Sequence, residues 1–483
     1  MSTVIVVAYS VVLSLLCVYG LHRSQLVWLF LRNRGRKTPA PTPLKELPLV
    51  TIQLPMFNEQ YVASRLIDSM AMIDYPKDKL EIQVLDDSTD TTQQIARARV
   101  DALREQGLDA VYLHRDDRTG FKAGALDAGL KVCKGEFVLV FDADFLPPPG
   151  ILHQLVHYFS NPKTGMVQAR WGHINRDYSL LTRVQSMMLD GHFVIEHLAR
   201  LRSGRFFNFN GTAGIWRKAA IIDAGGWQHD TLTEDMDLSY RAQLRGWQFA
   251  YLPDVVSPAE VPVEINSFKS QQFRWAKGSI QVAKKMLPVV LKADLPLKVK
   301  LEAFFHLTNN VAYLLLVLLS ILLLPNILAR TDHSMSQVLL LDFPLFAGTT
   351  CSVAIFYIVS HHALYGNTWE GIRRLPLLMS LGIGLSINNA RAVLEGLIGH
   401  ETDFIRTPKM GVETTGDKTW KKRRYRVAKN FMPALELLFA LYFAIAIYIA
   451  ASRGHWGSLP FLVLFLAGYV YVGTLSVLHA RHT

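Results

Sequence analysis

Long apolar segments lie toward both ends of the chain, and between them short apolar runs alternate with amphipathic stretches. Residues 4–21 contain no charged side chain, and residues 25–31 continue the apolar pattern. Comparable segments follow the central region at residues 304–324, 338–360, 431–451 and 459–478. Each is long enough to cross a bilayer, so the pattern predicts five membrane spans. A cleaved signal peptide is disfavoured for the first, because it has neither a basic leader nor a small-residue cleavage site.

The central region, residues 49–258, alternates segments of strand and helix character. The predicted strands are residues 50–54, 80–85, 110–114, 137–141 and 166–169. Helical patterns such as residues 61–72 and 91–104 lie between several of them. This alternation predicts a doubly wound α/β sheet with right-handed crossovers.

Two further segments are expected at the membrane surface. Residues 268–287 mix apolar side chains with lysines and arginines, which is typical of an amphipathic helix lying on a bilayer. Residues 373–399 have a short apolar centre that is followed by polar and charged side chains, among them Asn388 and Asn389. We interpret this segment as an interfacial or partly re-entrant helix.

Composition and charge also indicate a membrane protein. The 483 residues are 50% hydrophobic with a net charge of +11, a mean hydropathy of +0.18 and a pI near 9.4. Basic residues cluster at residues 32–37 and 418–429, next to predicted spans. The positive-inside rule therefore places the central domain in the cytoplasm, at a bacterial inner membrane or its equivalent, and disfavours nucleic acid as the partner. Three widely spaced cysteines imply no disulfide framework or Cys/His metal site, as in a reducing compartment.

These patterns divide the chain into seven predicted parts. They are a first span with its basic flank (1–37), a linker (38–48), a cytoplasmic catalytic domain (49–260), interfacial helices (261–300), two spans with an interfacial helix (301–399), a loop with the basic cluster (400–430) and two final spans (431–483).

Two carboxylates follow the most apolar predicted strand. The stretch FVLVFDADF, residues 137–145, contains Asp142 and Asp144. Ligands bind at the carboxyl ends of parallel strands, and two neighbouring carboxylates are costly unless a cation lies between them. Hard oxygen ligands suit Mg²⁺ or Mn²⁺ held together with substrate phosphates, so we expect a metal–diphosphate site here. The alternative is a solvated turn.

Acidic residues also follow the first two predicted strands. Phe57 and Glu59 come after the first, and Asp86 and Asp87 come after the second. Because both positions lie at the carboxyl ends of predicted strands, they could face one crevice with Asp142 and Asp144, which favours contact with a nucleotide. Helix capping is the alternative, and it would explain one member of the Asp86–Asp87 pair.

Two glycine-containing motifs contribute further candidates. Lys122, in the stretch TGFKAGAL, could meet a phosphate or a base edge, or could be a solvated lysine. The stretch FNFNGTAGIW, residues 207–216, places Asn210, Gly211 and Thr212 in a polar turn between aromatic residues. Such a turn could form the wall of a sugar site, or it could be an ordinary turn.

The last candidates lie on two predicted helices. Glu234 and Asp235 open a helix, where capping is the alternative to catalysis. Gln271, Arg274 and Trp275 lie where the soluble region meets the membrane. An arginine can neutralise a diphosphate and a tryptophan can stack on a sugar; anchoring at the bilayer surface is the alternative.

In this order the motifs resemble those of the family-2 glycosyltransferases of the cellulose synthase superfamily. The matching motifs are Asp86-Asp87, Asp142-Ala143-Asp144, Thr233-Glu234-Asp235 and Gln271-Gln272-Phe273-Arg274-Trp275. The strings PMFNE, IQVLDDSTD, KAGAL, FDADF, FNGTAG and EDMDL resemble the cellulose synthase-like A group, the mannan and glucomannan synthases. The resemblance implies a GT-A type α/β catalytic domain inserted between transmembrane helices.

The resemblance also implies a role for each candidate. Residues 404–409, FIRTPK, resemble the family's gating loop with Arg406 in place of a valine, and Gln272 stands where many cellulose synthases carry arginine. The expected contacts to the nucleotide sugar are Phe57, Glu59, Asp86, Asp87, Lys122, Asp142, Arg274, Thr407 and Lys409. The expected contacts to the acceptor are Asn210, Gly211, Thr212, Glu234, Gln271 and Trp275.

The predicted reaction is metal-dependent, inverting transfer of a hexose from GDP-mannose or UDP-glucose to a growing β-linked polysaccharide of the β-1,4 type. Asp235 is expected to act as general base, with Mg²⁺ or Mn²⁺ on Asp142 and Asp144. The membrane helices would let the polymer leave. There are two alternatives: a glycolipid-forming transferase with a lipid acceptor, and a non-catalytic sugar-binding or transport subunit. The sequence does not decide whether accessory subunits take part.

Overall fold

The computed structural model describes residues 2–329, 335–400, 406–417, 419–422 and 431–480, with the backbone alone at residues 2, 335–343 and 421–422. The predicted basic cluster at residues 418–429 therefore lies mostly outside the described residues. Phe404 and Ile405 of the predicted gating loop lie outside them as well.

Seven strands of the central region form one sheet. They are β1 (Val50–Met56), β2 (Leu80–Asp86), β3 (Asp109–His114), β4 (Phe137–Val140), β5 (Thr164–His173), β6 (Gly214–Arg217) and β7 (Gln248–Ala259). Their order is β3-β2-β1-β4-β6-β5-β7. Strand β6 runs antiparallel to β4 and β5, and the other pairs are parallel. Every residue of β1, β2 and β4 is buried, as expected for strands covered on both faces.

The predicted strands all occur, and the predicted α/β fold class is confirmed; the sheet is mixed because β6 runs antiparallel to its neighbours. Strands β6 and β7 were not predicted. Strand β6 is only four residues long and follows a glycine-containing turn, so it has little periodicity of its own. Strand β7 contains Pro253 and Pro258, which lack the N–H that a central strand needs; the strand lies at the sheet edge, where proline is tolerated.

Helices lie before and between these strands, and among the described residues one π-helical turn lies with them. The helices are α1 (Ser2–Arg32), α2 (Ala63–Ser69), α3 (Thr92–Glu105), α4 (Phe121–Val132), α5 (Ile151–Leu155), α6 (Leu180–Asp190), α7 (Leu198–Arg202), α8 (Lys218–Asp223) and α9 (Glu234–Leu244). The π-helical turn, Gly191–His197, joins α6 to α7. Apolar side chains of the helices fill both faces of the sheet, which fixes the ends of β1, β2 and β4 relative to one another.

The remaining helices follow the last strand of the sheet. They are α10 (Ile265–Lys292), α11 (Leu297–Thr308), α12 (Val311–Ala329), α13 (Met335–Tyr365), α14 (Thr368–Gly384), α15 (Ser386–Ile398), α16 (Met432–Ser452) and α17 (Leu459–Ala480). Five segments of the described chain are long and apolar enough to span a membrane: Thr3–Arg32, Val311–Ala329, Pro344–Tyr365, Met432–Ser452 and Trp456–Ala480. The predicted span at residues 304–324 began too early, because α11 ends before the span and Asn309 and Asn310 separate the two helices.

Helices α14 and α15 are bent by 43° relative to each other, which makes them a broken span or a re-entrant loop. The sequence left the same choice open for residues 373–399. The interpretation of residues 373–399 as an interfacial or partly re-entrant helix therefore stays a prediction.

The long helix α10 does not simply lie on a lipid surface. Its Lys269 is buried and donates a 2.5 Å hydrogen bond to Glu436 of α16. Its Lys277 is also buried and lies 3.1 Å from Glu395 of α15. These two lysines attach α10 to other helices, which the prediction of an amphipathic surface helix did not include.

Candidate active site

The carboxyl ends of β1, β2 and β4 open into a cavity that α9, α10 and residues 406–409 close from the other sides. Parallel neighbours end at the same edge of a sheet, so residues far apart in sequence meet there. The candidates that line this cavity are Phe57, Glu59, Asp87, Lys122, Asp142, Asp144, Asn210, Gly211, Glu234, Asp235, Gln271, Arg274, Trp275, Thr407 and Lys409.

Asp142 and Asp144 follow β4 and each faces a lysine. Lys122 donates a 2.6 Å hydrogen bond to Asp142 Oδ1, and Lys409 donates to Asp144 Oδ1. The backbone N–H of Asp142 donates to Thr212 Oγ1 at 2.9 Å. Burial disfavours the charged carboxylate, but Lys122 and Lys409 outweigh it and lower the pKa of Asp142. Two carboxylates and two ammonium groups therefore share one face of the cavity.

The two carboxylates offer oxygen ligands of the kind that a divalent metal prefers. Magnesium usually binds one or two carboxylates and completes its coordination with water and substrate phosphates. Among the described residues, no group of three or more His, Cys, Asp or Glu side chains is arranged to hold a metal. A metal on Asp142 and Asp144 would therefore take its remaining ligands from solvent and substrate.

Asp235 occupies the first turn of α9 and is a carboxylate of raised pKa in the cavity wall. Burial and the neighbouring Glu234 raise its pKa to about 7, although Lys122 lowers it in part. Gly211 approaches this carboxylate closely, because a Cβ at Gly211 would lie 3.0 Å from Asp235 Oδ2. The backbone there has a φ of +78°, which also favours glycine.

Helix α10 supplies the membrane-side wall. Its Gly278 packs directly on Thr233, and a Cβ at Gly278 would lie only 2.5 Å from Thr233 Cγ2. This close approach brings Arg274 and Trp275 of α10 to the cavity that contains Asp235. Arg274 Nη2 also lies 3.4 Å from Thr407 Oγ1.

Two predicted contact residues are placed behind the cavity wall. Asp86 is fully buried and accepts hydrogen bonds from Tyr112 Oη at 2.6 Å and from the Ser88 N–H at 3.0 Å. Thr212 is fully buried and supports the Asp142 backbone. Neither lines the cavity, so both are better described as supports than as substrate contacts.

Asp87 lines the cavity but is already paired. Arg115 donates to both of its carboxylate oxygens, at 2.8 and 2.5 Å. A nucleoside that met Asp87 would therefore meet this ion pair.

Several cavity residues were missed by sequence reasoning. The guanidinium of Arg118 lies 3.3 Å from the ring centroid of Phe57, a cation–π contact. Arg406, noted only as a departure from the family pattern, lies 2.9 Å from Glu59. Burial raises the pKa of Glu59 to about 7 despite Arg406. The sequence contains no pattern that predicts the Arg118–Phe57 and Arg406–Glu59 contacts, because each contact joins loops that are distant in sequence.

Other unpredicted lining residues lie on β5 and β7 or directly after β7. They are Trp171, His173, Ala259, Glu260, Val261 and Pro262. Because β7 was not predicted, its contribution to the cavity could not be anticipated.

Comparisons with known proteins agree with the motifs. The family described as "Glycosyltransferase like family 2" matches residues 48–278. The chain is 45% identical over 250 residues to glucomannan 4-beta-mannosyltransferase 2 of Arabidopsis thaliana, covering 51% of this chain and 47% of that protein. It is 32% identical over 470 residues to glucomannan 4-beta-mannosyltransferase 1 of Oryza sativa subsp. japonica, covering 92% of this chain and 87% of that protein.

Among solved structures, the mannosyltransferase PcManGT from Pyrobaculum calidifontis, in complex with GDP-Man and Mn²⁺, is similar with a TM-score of 0.54. The sequences are 21% identical, and the match covers 81% of this chain and all of that one. At this identity the likeness shows a common fold.

Proposed function

The chain belongs to the family-2 glycosyltransferases of the cellulose synthase superfamily, and from this premise we propose that it is a membrane-embedded, inverting mannosyltransferase. It extends a β-1,4-linked mannan or glucomannan, with GDP-mannose as the donor. One observation carries the proposal: the Asp-x-Asp carboxylates, Asp235 and the Arg-Trp pair of α10 line one cavity. The relatives named as glucomannan mannosyltransferases support mannose as the transferred sugar.

The donor binds with its nucleoside toward Phe57, Asp87 and Arg118 and its diphosphate toward Asp142 and Asp144. Asp142 and Asp144 would hold Mg²⁺ or Mn²⁺, which supplies positive charge to offset the leaving diphosphate. Burial lowers the pKa of Arg274, and the nearby carboxylates of Glu234 and Asp142 raise it in part. Together with Lys409 and Thr407, Arg274 would contact the diphosphate, because a preorganised guanidinium stabilises developing phosphate charge.

Asp235 acts as general base. Because its pKa is about 7, a large fraction of the carboxylate is ionised at neutral pH. The same raised pKa makes the carboxylate basic enough to take a proton from a sugar hydroxyl. The acceptor oxygen then forms a bond to the anomeric carbon while the bond to the diphosphate breaks. Direct attack inverts that centre, so an α-linked donor gives a β-linked product.

The acceptor chain occupies the part of the cavity next to the membrane helices. Trp275 offers an aromatic face for its terminal sugar, Gly211 lies against Asp235, and Asn210 lines the same cavity. The cavity lies against α10, which is buried among α15, α16 and α17 through Lys269, Lys277 and Asn266. A cytoplasmic cavity in this position would deliver the growing polymer to the membrane spans.

The experiment that tests the proposal uses the full chain purified in lipid nanodiscs with radiolabelled GDP-mannose or UDP-glucose. We expect nucleotide release from GDP-mannose together with an insoluble product that endo-β-1,4-mannanase degrades. An organic-soluble, mannanase-resistant product would instead show a glycolipid-forming enzyme. The absence of nucleotide release from every donor tested would contradict the proposal.

A further inference from the structure

The π-helical turn Gly191–His197 brings two imidazoles to one cavity residue. Asn210 Nδ2 lies 2.8 Å from His192 Nε2, and Asn210 Oδ1 lies 2.5 Å from His197 Nε2. The two rings pack against each other with centroids 4.3 Å apart. π-Helical turns are rare and occur frequently at functional sites, and this one clamps the carboxamide of Asn210 from both sides.

A carboxylate behind His192 determines which of its nitrogens carries the proton. His192 Nδ1 lies 2.9 Å from Glu196 Oε2, and the same oxygen receives a 3.1 Å hydrogen bond from Arg200. Burial opposes ionisation of Glu196, but Arg200 and His192 lower its pKa well below the usual value. A neutral His192 that donates through Nδ1 to Glu196 accepts through Nε2, which matches the Nδ2 end of Asn210 that faces it.

His197 requires the same orientation of the amide. Burial lowers the pKa of His197 well below its usual value, so the ring is neutral. Its Nδ1 has no hydrogen-bond partner within the described part of the chain, and its Nε2–H must donate to Asn210 Oδ1. The two imidazoles thus use opposite tautomers, and a flipped amide would face the wrong partner at both ends.

The clamped amide belongs to the residue before Gly211, which approaches the proposed catalytic base. The Asn210 backbone N–H donates to Gln168 Oε1 at 3.1 Å. The carbonyl of the next residue, Gly211, accepts from Lys122 at 2.9 Å, and Gly211 approaches Asp235. An amide has two N–H donors and two acceptor lone pairs, so one donor and one lone pair of Asn210 remain for a ligand in the cavity.

The turn is braced from the membrane side. Arg200 donates a 2.9 Å hydrogen bond to Glu302 of α11, and Glu302 lies 3.2 Å from His22 of α1. Arg200 and Glu302 are both buried, which makes the brace costly to disturb. The line of contacts runs from the first membrane helix to the amide.

We propose that His192 and His197 are positioning residues, which hold the Asn210 amide toward the acceptor sugar and so favour attack by a sugar hydroxyl over attack by water. The proposal rests on the proposed glycosyl transfer. The donor contacts lie on other elements, so the clamp should affect where the sugar goes and not how the donor binds.

The test compares His197→Phe with His197→Gln in the full chain in nanodiscs. His197 is enclosed by aromatic rings, so phenylalanine keeps the packing but removes the donor, whereas glutamine restores an N–H near the Nε2 position. Nucleotide release, sugar incorporated into polymer and the Kd for GDP-mannose are measured for each. We expect His197→Phe to lower the ratio of sugar incorporated to nucleotide released about tenfold, the effect of a lost hydrogen bond, with an unchanged Kd. His197→Gln should recover most of the ratio.

An unchanged ratio in His197→Phe, or an equal loss of polymer and donor binding, would overturn the proposal. The His192 side chain is 27% exposed, so His192→Phe should disturb the fold less than His197→Phe. We expect His192→Phe to lower the ratio in the same way, and this variant replaces His197→Phe in the test if the latter is not recovered folded. A wild-type protein that releases no nucleotide would instead contradict the proposed function, so the two failures are distinguishable.

Discussion

Lys122 Nζ lies 2.6 Å from Asp142 Oδ1 and 2.9 Å from the carbonyl oxygen of Gly211. One ammonium group thus links the carboxyl end of β4 to the wall that faces Asp235. Burial disfavours this charge, but Asp142 and Glu234 raise the pKa of Lys122 above its usual value, so it stays protonated. The cavity combines several acidic groups with a fixed cation at their centre.

Replacement of Lys122 should therefore weaken donor binding. Lys122→Met removes one of the cations that Asp142 and Glu234 share, and the more negative cavity repels a diphosphate. We expect the Kd for GDP-mannose to rise at least about tenfold by calorimetry, which corresponds to roughly 1.4 kcal/mol. Lys131→Met is the matched control, because Lys131 is on the same helix and 72% exposed. Equal affinities in the two variants would exclude Lys122 from the donor site.

The pH dependence should report Asp235. Burial and Glu234 raise its pKa to about 7, and only the deprotonated carboxylate can act as a base. The logarithm of kcat/KM should therefore fall by about one unit per pH unit below pH 7. Glu234→Gln removes the neighbouring negative charge and should move this acid limb to lower pH. A limb at the same pH in Glu234→Gln would show that another group controls the profile.

Activity should depend on a divalent metal. Exhaustive chelation should abolish transfer, and Mg²⁺ or Mn²⁺ should restore it, because Asp142 and Asp144 are the oxygen ligands that such ions prefer. Asp144→Asn should raise the metal concentration needed for half-maximal rate. Asp116→Asn, at a fully exposed position, is the control. Full activity after chelation would rule out a metal role for the Asp-x-Asp pair.

The buried pair between Lys269 and Glu436 should stabilise the junction of α10 with the membrane helices. Lys269→Met leaves Glu436 buried without its partner, which typically costs about 3–5 kcal/mol. We expect a lower unfolding temperature in nanodiscs by intrinsic tryptophan fluorescence. The double variant Lys269→Met/Glu436→Leu should recover most of the loss. Equal unfolding temperatures for the single and double variants would show that the Lys269–Glu436 ion pair does not stabilise this junction.

The positions of the chemical motifs were predictable because their surroundings are local. Asp142 and Asp144 follow an uninterrupted apolar strand, and parallel strands present their carboxyl ends at one edge. The same reasoning placed Glu59 and Asp87 in the cavity. It could not distinguish Asp87, which lines the cavity, from Asp86, which is buried behind it, since alternation along a strand end depends on local twist.

Other features depend on contacts between distant parts of the chain and leave no local trace. Lys269 and Glu436 are 167 residues apart, and the sequence around Lys269 predicted only an amphipathic surface helix. The Arg118–Phe57 contact joins two loops, and β7 contains prolines that argue against a strand. The histidine clamp on Asn210 depends on a π-helical turn, which hydrophobic periodicity does not reveal.

The most direct test of the central claim is the transfer rate of Asp235→Asn. Asparagine keeps the size of the side chain and removes the base, so kcat for polymer formation should fall by about 10²–10⁴-fold while the Kd for GDP-mannose stays within about twofold of the wild-type value. Asp230→Asn, at an exposed acidic residue shortly before α9, should retain full activity. Near-normal turnover in Asp235→Asn would contradict the account.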